Sequence, residues 1–285
     1  MSNHLFCFGL GSSAHQLARN LLAKGWRISG THRTLDACEK ERPYGITAHI
    51  FDEYLPLENI WDLQSVTHLL ISIPPHKTMG DIVLQHHAQD LTQLPNLQWI
   101  GYLSTTGVYG DQQGEWVDEQ TPASPCTDRA ARRVSAELAW LNTGLPVHIF
   151  RLAGIYGTHC NSLVQLKEGT AKIIDKPNQY FSRIHIEDIA TILEHSIARP
   201  NPSAIYNCAD DHPCSSEEIL TYAAQLVHAP LPTKIPLDQA NLSPMAASFY
   251  QQSRRVKNDK IKNELGVVLK YPTYKEGLTA CLAHI

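Results

Sequence analysis

The sequence predicts an α/β protein built on a doubly wound parallel sheet, with a smaller C-terminal α/β lobe. Up to Gly157, short apolar segments alternate with helical ones, and a glycine-rich turn follows the first apolar segment. Alternating strands and helices are typical of a parallel sheet that is covered on both faces. Because crossover connections are right-handed, such a sheet grows in both directions from its first strand.

Strands are expected where apolar residues cluster between turn signals, at 5–8, 27–30, 47–51, 66–73, 98–104 and 147–152. The fourth of these ends at Pro74-Pro75, which cannot continue a central ladder. Helices are expected at 12–24, 82–91 and 128–141, and Gly25 is the expected C-cap of the first. The third helix should bury Ala130 or Ala131 with Val134, Leu138 and Leu141.

After Gly157 the alternation loosens. Residues 158–182 are expected to form loops and a short helix, 186–198 a helix, 204–207 a last strand, and 215–227 a helix capped by Ser215 or Ser216. We therefore expect one domain from residues 1–157 plus about 183–209, and a small lobe from about 158–182 plus 210–285.

Composition excludes several classes of protein. The formal net charge of -4 gives no basic field to attract nucleic acid. No apolar run approaches the roughly 20 residues that a membrane helix needs, and no signal peptide is evident. The seven cysteines include no Cys-x-x-Cys pair, so we expect a reduced, cytoplasmic protein. The 15 histidines show no metal-ligand spacing, so no metal site is expected.

The segment Phe8-Gly-Leu-Gly-Ser-Ser-Ala14 follows a strand and opens a helix. The first glycine permits a tight turn, the second lets a diphosphate approach the backbone, and the alanine lets the helix pack on the strand. The pattern predicts a dinucleotide-binding domain of the Rossmann type. The diphosphate contacts are expected from Gly9, Gly11, Ser12, Ser13 and Ala14.

The end of the second strand indicates which dinucleotide is bound. NAD-binding proteins usually place a carboxylate there, which accepts from the ribose hydroxyls. This chain has Thr31, His32 and Arg33 instead, and Arg33 could form a bidentate contact with a 2′-phosphate. We therefore expect NADP, with NAD as the alternative. Ser72 and Pro74, after the fourth strand, are expected to contact the cofactor near its nicotinamide.

Four further segments occur in a recognisable order: Ser104-Thr-Thr-Gly-Val-Tyr-Gly110, Arg151-Leu-Ala-Gly-Ile-Tyr-Gly157, Arg183-Ile-His-Ile-Glu-Asp188 and Tyr206-Asn-Cys-Ala-Asp210. With the glycine turn, this order resembles the NAD-dependent epimerase/dehydratase family, the extended short-chain dehydrogenases. The resemblance covers most of the chain. It implies a Rossmann-type fold and an NAD(P)-dependent oxidoreductase or epimerase that acts on a small molecule.

The resemblance also implies roles for three residues. Thr105 matches the strand-end Ser or Thr whose hydroxyl binds a substrate oxygen. Counting back from Glu137, Arg133 stands at the lysine and Arg129 at the tyrosine of the catalytic Tyr-x-x-x-Lys, so the chain matches an atypical branch of the family. Guanidinium stays protonated at neutral pH, so Arg129 cannot replace the phenol as a base. Arg133 could still donate to ribose hydroxyls.

Two interpretations of these arginines remain open. Arg129, Arg133 and Glu137 share one helix face, which either points inward and binds an anionic group, or points to water with Arg133 paired to Glu137. Tyr109, Tyr156 and His185 are the other candidate proton donors. The resemblance favours structural roles for these three residues.

Two classes of function follow from the sequence. The first is an NAD(P)-dependent enzyme that acts on an unknown, anionic small-molecule substrate without the usual tyrosine and lysine. The second is a non-catalytic NADP-binding redox sensor or scaffold, which the missing residues favour. We expect no nucleic-acid or membrane partner, and a monomer or a homodimer. The resemblance implies that a dimer would pair through helices 82–91 and 128–141.

Overall fold

A seven-stranded parallel sheet is the central feature of the structure. The structure is a computed structural model that describes residues 3–58 and 63–284. The strands in chain order are β1 (His4–Phe8), β2 (Arg27–His32), β3 (Thr47–Ile50), β4 (His68–Ile71), β5 (Trp99–Thr105), β6 (Trp116–Val117), β7 (Val147–Leu152), β8 (Gly154–Tyr156), β9 (Ile173–Asp175), β10 (Arg183–His185), β11 (Ile205–Cys208), β12 (Lys234–Pro236) and β13 (Arg255–Val256).

The order of the strands in the central sheet is β11-β7-β5-β4-β1-β2-β3. The chain builds outward from β1 to β3 on one side, and then crosses back to place β4 on the other side of β1. This confirms the predicted doubly wound sheet. The order reverses between β1 and β4, and ligands of such sheets bind outside the carboxyl ends of the strands at that point.

The helices cover the sheet and form much of the C-terminal part. In chain order they are α1 (Ser12–Leu22), α2 (Leu35–Glu39), α3 (Ile82–Thr92), α4 (Asp128–Leu141), α5 (Ser162–Lys167), α6 (Ile186–Ala198), α7 (Ser216–Leu226), α8 (Pro244–Tyr250), α9 (Asp259–Asn263) and α10 (Tyr274–Leu282). Helices α4 and α6 and strand β7 have the predicted bounds. The C-cap of α1 is Ala23, so the predicted cap was wrong by two residues, although Gly25 has a left-handed φ of 78°.

Among the helices that the sequence analysis missed, α2 and α10 have clear cap signals. Thr34 caps α2 by accepting from the amide of Ala37. Thr273 and Glu276 form a capping box at α10. These helices were missed because α2 has five residues and α10 has nine, too few for a clear apolar period.

The chain divides into two compact units. The first comprises Met1–Thr105, Ala131–Arg151 and Ala190–Tyr206, and the second comprises Thr106–Ala130, Leu152–Ile189 and Asn207–Ile285. The core of the first unit packs apolar side chains of the strands against α3 and α4, with Phe6, Phe8, Tyr102 and Trp140 among its largest members. The core of the second unit packs Tyr156 against residues of α5, α7 and α10.

Three small parallel sheets belong to the second unit. They pair β8 with β10, β9 with β12, and β6 with β13. At α10, Gly277 lies so close to Tyr156 that an added Cβ would stand 2.1 Å from the phenol oxygen. Only glycine fits at this contact, so Tyr156 packs directly against helix α10.

The buried face of α4 differs from the predicted one. Leu138 is 56% exposed, whereas Glu137 and Trp140 are buried. The prediction placed Leu138 among the buried residues and left open whether the face with Glu137 points inward or to water. It was wrong about Leu138 because Glu137 has buried polar partners and Trp140 donates from its indole to the Asp81 carboxylate at 2.9 Å.

Within the described residues, no helix combines the length and the apolar character that a membrane-crossing segment needs.

Candidate functional site

The glycine turn between β1 and α1 is held tightly on both sides. Gly9 has a φ of 90° and donates its amide to Thr31 Oγ1 at 2.9 Å. An added Cβ on Gly9 would lie 2.9 Å from Ile73 Cγ1. Ser72 donates its hydroxyl to the Gly9 carbonyl at 2.6 Å. The positive φ of Gly9 and the lack of space for a Cβ therefore require glycine at this position. Side chains at the end of β2 and just after β4 hold the turn in place.

The start of α1 leaves its backbone amides available. Gly11 is the N-cap, with an ordinary extended conformation (φ −85°, ψ 179°) and no side-chain cap. The first intrahelical bond runs from the His15 amide to the Gly11 carbonyl at 2.8 Å, so the amides of Ser12, Ser13 and Ala14 precede the helical ladder. Nothing lies within 4 Å of an added Gly11 Cβ. Open space thus adjoins uncapped amides, which suits an anionic group such as a diphosphate.

The residues at the end of β4 lie beside this turn. The amide of Ser72 donates to the Phe8 carbonyl at 3.0 Å, which continues the β1–β4 pairing beyond the strand. The Ser72 hydroxyl is used to hold Gly9, and Pro74 is exposed. The two predicted residues therefore border the glycine turn, with Ser72 supporting its backbone.

The three predicted residues at the end of β2 have different environments. Thr31 is buried, and its hydroxyl accepts from Gly9, so it braces the turn. His32 is half-buried and places Nε2 2.7 Å from Glu41 Oε1. Of the three, only Arg33 is exposed to solvent.

A carboxylate does lie at the end of β2, contrary to the sequence interpretation. Glu41 follows α2, and its Oε1 is 2.7 Å from His32 Nε2 and 2.8 Å from Nε2 of His15 on α1. Helix α2 turns the chain back and brings Glu41 to a strand that ended nine residues earlier. No spacing rule in the sequence signals this contact, since its three residues come from three separate elements.

Arg133 lies against the end of β5. Its Nη1 donates to the Leu103 carbonyl at 2.8 Å and to the Tyr102 hydroxyl at 3.1 Å. The guanidinium carbon also stands 5.7 Å from the centre of the Tyr102 ring. The side chain of Arg133 therefore points inward, toward the strand that ends at Thr105. Thr105 itself is half-buried.

Glu137 pairs with Arg151 of β7 and not with Arg133. Arg151 Nη2 donates to Glu137 Oε2 at 2.8 Å, and both residues are buried. The Ser104 hydroxyl also donates to Glu137. The interpretation that Arg133 pairs with Glu137 at the surface is thus wrong. The lone arginine in the apolar strand Val147–Leu152 was the sequence signal, because a buried charge needs a partner.

Arg129 belongs to the second unit and stacks on an aromatic ring. Its guanidinium carbon stands 5.2 Å from the centre of the Phe249 ring of α8. Both residues are exposed at the surface of the unit. A cation over an aromatic face keeps its donors free for a planar anion such as carboxylate.

The candidate proton donors have structural environments. Tyr109 is fully buried and donates to Asn207 Oδ1 at 2.7 Å. Burial raises the pKa of Tyr156 and lowers the pKa of His185 to about 4, so neither is set to exchange protons near neutral pH. Tyr102 touches Arg133, but it is fully buried, and burial raises the pKa of its phenol.

Comparison with known proteins places the chain among relatives. No family model matches it. The protein YeeZ of Escherichia coli strain K12 is 28% identical over 278 residues, which cover 93% of this chain and 94% of YeeZ. The structure of a functionally unknown conserved protein from Silicibacter pomeroyi DSS is 46% identical, covers 99% of each chain and has a TM-score of 0.92.

More distant structures show the same fold. A dTDP-glucose 4,6-dehydratase from Bacillus anthracis strain Ames, solved in complex with NAD, is 16% identical with a TM-score of 0.79. The alignment covers 100% of this chain and 96% of that chain. The predicted Rossmann-type fold is thereby confirmed, and this chain shares that fold with the NAD-dependent dehydratase.

Proposed function

We propose that this protein is an NAD(P)-binding oxidoreductase. It belongs to one family with the Silicibacter pomeroyi protein, and it shares the fold of the NAD-dependent epimerases and dehydratases. Its substrate would be a small anionic molecule. The observation that carries the proposal is the glycine turn, where uncapped amides of α1 adjoin open space at Gly11. The complex of the Bacillus anthracis enzyme with NAD supports the same kind of cofactor.

The residues of the turn suit a diphosphate. Gly9 keeps the turn tight, and the amides before the first helical bond would donate to the phosphate oxygens. When bound, the nicotinamide ring supplies hydride transfer. The chain's own part is to fix the dinucleotide at the edge of the sheet where the strand order reverses.

The cofactor proposed is NADP. The exposed guanidinium of Arg33 at the end of β2 would pair with the 2′-phosphate. The Glu41 carboxylate would not oppose that phosphate, because it is buried and contacted by two imidazoles. In the NAD alternative, a ribose hydroxyl of the cofactor would donate to a carboxylate at the end of β2. Glu41 Oε1 already contacts His15 and His32, so it is not available for that hydrogen bond.

Titration calorimetry of the purified protein with NADP and with NAD tests this choice. We expect tighter binding of NADP, and we expect Arg33→Ala to weaken NADP by about 10- to 100-fold, because hydrogen bonds to charged groups are worth about 1.5–3 kcal/mol. Binding of NAD should change little in the same variant. Arg27→Ala, on the same strand but at its other end, is the matched control and should leave both affinities unchanged. Tighter binding of NAD by the native protein would refute the assignment.

In the first unit, Arg133 would also serve the cofactor. Both of its observed bonds come from Nη1, so Nη2 remains to donate to a ribose hydroxyl. Thr105, at the end of β5, would hold the substrate oxygen. In the second unit, the exposed guanidinium of Arg129, which stacks on Phe249, would bind an anionic group. With no tyrosine at position 129, a proton would come from the substrate or from water.

A hydride-transfer assay separates an enzyme from a sensor. We expect slow turnover of NADPH with carbonyl or sugar-nucleotide substrates, because missing acid–base help costs about 10²–10⁴ in rate. Thr105→Val should lower kcat by a further factor of about 10, the value of one lost hydrogen bond. Thr105→Ser retains the hydroxyl and should stay near the native rate. Tight NADP binding without turnover on any substrate would favour the redox sensor instead.

A further inference from the structure

Two imidazoles and one buried carboxylate meet beside the glycine turn. We propose that His15, His32 and Glu41 bind a divalent transition-metal cation of the zinc class. The three residues come from α1, the end of β2 and the segment after α2. This metal site is independent of the proposed dinucleotide binding, which rests on backbone amides, Arg33 and Arg133.

The distances suit a single cation. Both imidazoles place Nε2 within 2.8 Å of Glu41 Oε1, and the three ligand atoms lie within 4.8 Å of one another. Ligand atoms around tetrahedral zinc, with bonds of about 2.0–2.1 Å, stand roughly 3.3 Å apart. Small side-chain rotations would therefore open the cluster enough to admit the ion.

The second carboxylate oxygen of Glu41, Oε2, is buried without a hydrogen-bond partner in the described residues. Glu41 as a whole is 4% exposed. A buried carboxylate oxygen without a partner is costly, and a cation would satisfy it. The side chains of His15 and His32 are 32% and 21% exposed, so an ion could enter from their side.

The donor set selects the class of metal. Two imidazole nitrogens and one carboxylate oxygen suit zinc and its neighbours, whereas magnesium and calcium prefer oxygen ligands alone. Three protein ligands leave a position for water. Each imidazole would bind through the lone pair of Nε2, with its proton on Nδ1, so the hydrogen bonds to Glu41 are exchanged for metal bonds.

Titration of the full-length protein with zinc chloride, after treatment with EDTA, tests the proposal. We expect one equivalent of zinc to bind, and an excess of magnesium not to displace it. We expect each of the variants His15→Ala, His32→Ala and Glu41→Gln to lower the affinity for zinc by about 100-fold or more. A loss of about 10- to 100-fold is typical even of residues that only support a metal ligand. Glu41→Gln keeps the shape of the side chain, so its fold should remain intact.

The matched control is His212→Ala. His212 also places Nε2 2.8 Å from a carboxylate, that of Glu218, but both side chains are nearly half exposed and the pair is no member of a three-ligand group in the described residues. This variant should bind zinc as the native protein does. Equal zinc binding by the native protein and the three ligand variants would overturn the proposal.

Cobalt substitution provides a readout that does not depend on the variants. The visible absorption of bound Co²⁺ should have the intensity of a four- or five-coordinate site, and zinc should raise the thermal midpoint of the native protein but not that of Glu41→Gln. A six-coordinate, water-like cobalt spectrum would show that the cluster is a hydrogen-bonded network only. NADP titrated in the presence of EDTA reports on the dinucleotide site separately.

Discussion

Replacing Gly11 by valine is expected to lower the affinity for the nicotinamide dinucleotide by about 100-fold or more, while the fold remains intact. Gly11 has an extended conformation that any residue adopts, and an added Cβ meets no neighbour within 4 Å. The new methyl groups would fill the space next to the amides of Ser12 and Ser13. Loss of two charge-assisted hydrogen bonds, each worth about 1.5–3 kcal/mol, gives that factor or more.

Ser215→Val is the matched control for this experiment. Ser215 caps α7, which has 11 residues like α1, by accepting from the Glu218 amide at 3.0 Å. Valine is a poor cap in either helix and should cost about 1 kcal/mol of stability in each variant. Only Gly11→Val should lose cofactor, as measured by calorimetry. Unchanged affinity in Gly11→Val would mean that the diphosphate does not approach this turn.

Removing the carboxylate of Glu137 is expected to lower the free energy of unfolding by about 3–5 kcal/mol, the usual cost of breaking a buried ion pair. The pair with Arg151 is 2.8 Å long, and Glu137 also accepts from Ser104. Glu137→Ala would remove the carboxylate that pairs with the buried Arg151 guanidinium. Urea unfolding of the variant measures the loss.

Two comparisons show whether the effect comes from the buried charge. The double variant Glu137→Leu with Arg151→Met removes both charges and should be far more stable than Glu137→Ala, because apolar replacement of a buried pair is often neutral. Asp36→Ala breaks the exposed pair with Lys40, whose side chains are 79% and 73% exposed, and should leave stability unchanged. A single variant as stable as the double one would contradict the assigned role of the pair.

The Glu137 pair also bears on function. Helix α4 carries Arg133, and Ser104 lies on β5 directly before Thr105. The contacts of Glu137 with Ser104 and Arg151 fix α4 against β5 and β7 within the first unit. An Arg133 that donates to the Leu103 carbonyl is thus placed by a buried ion pair one turn further along its own helix.

The sequence by itself determined the fold class, most of the strands and the position of the glycine turn. These features depend on local chemistry: apolar runs between turn residues, a glycine that needs a positive φ, and helices with strong caps. For the same reason the bounds of α4, α6 and β7 were predicted correctly. The order of the family's motifs supplied what periodicity could not, the prediction that Thr105, Arg129 and Arg133 belong to the site.

Only the tertiary structure decided which polar groups meet. Glu41 reaches His15 and His32 because α2 reverses the chain, and Glu137 reaches Arg151 because α4 packs over β7. A buried charge is stable only beside a partner that may lie anywhere in the chain, so apolar patterning could not decide whether Glu137 faces the interior or water. Local rules describe the backbone, whereas the pairing of buried charges depends on how separate segments pack.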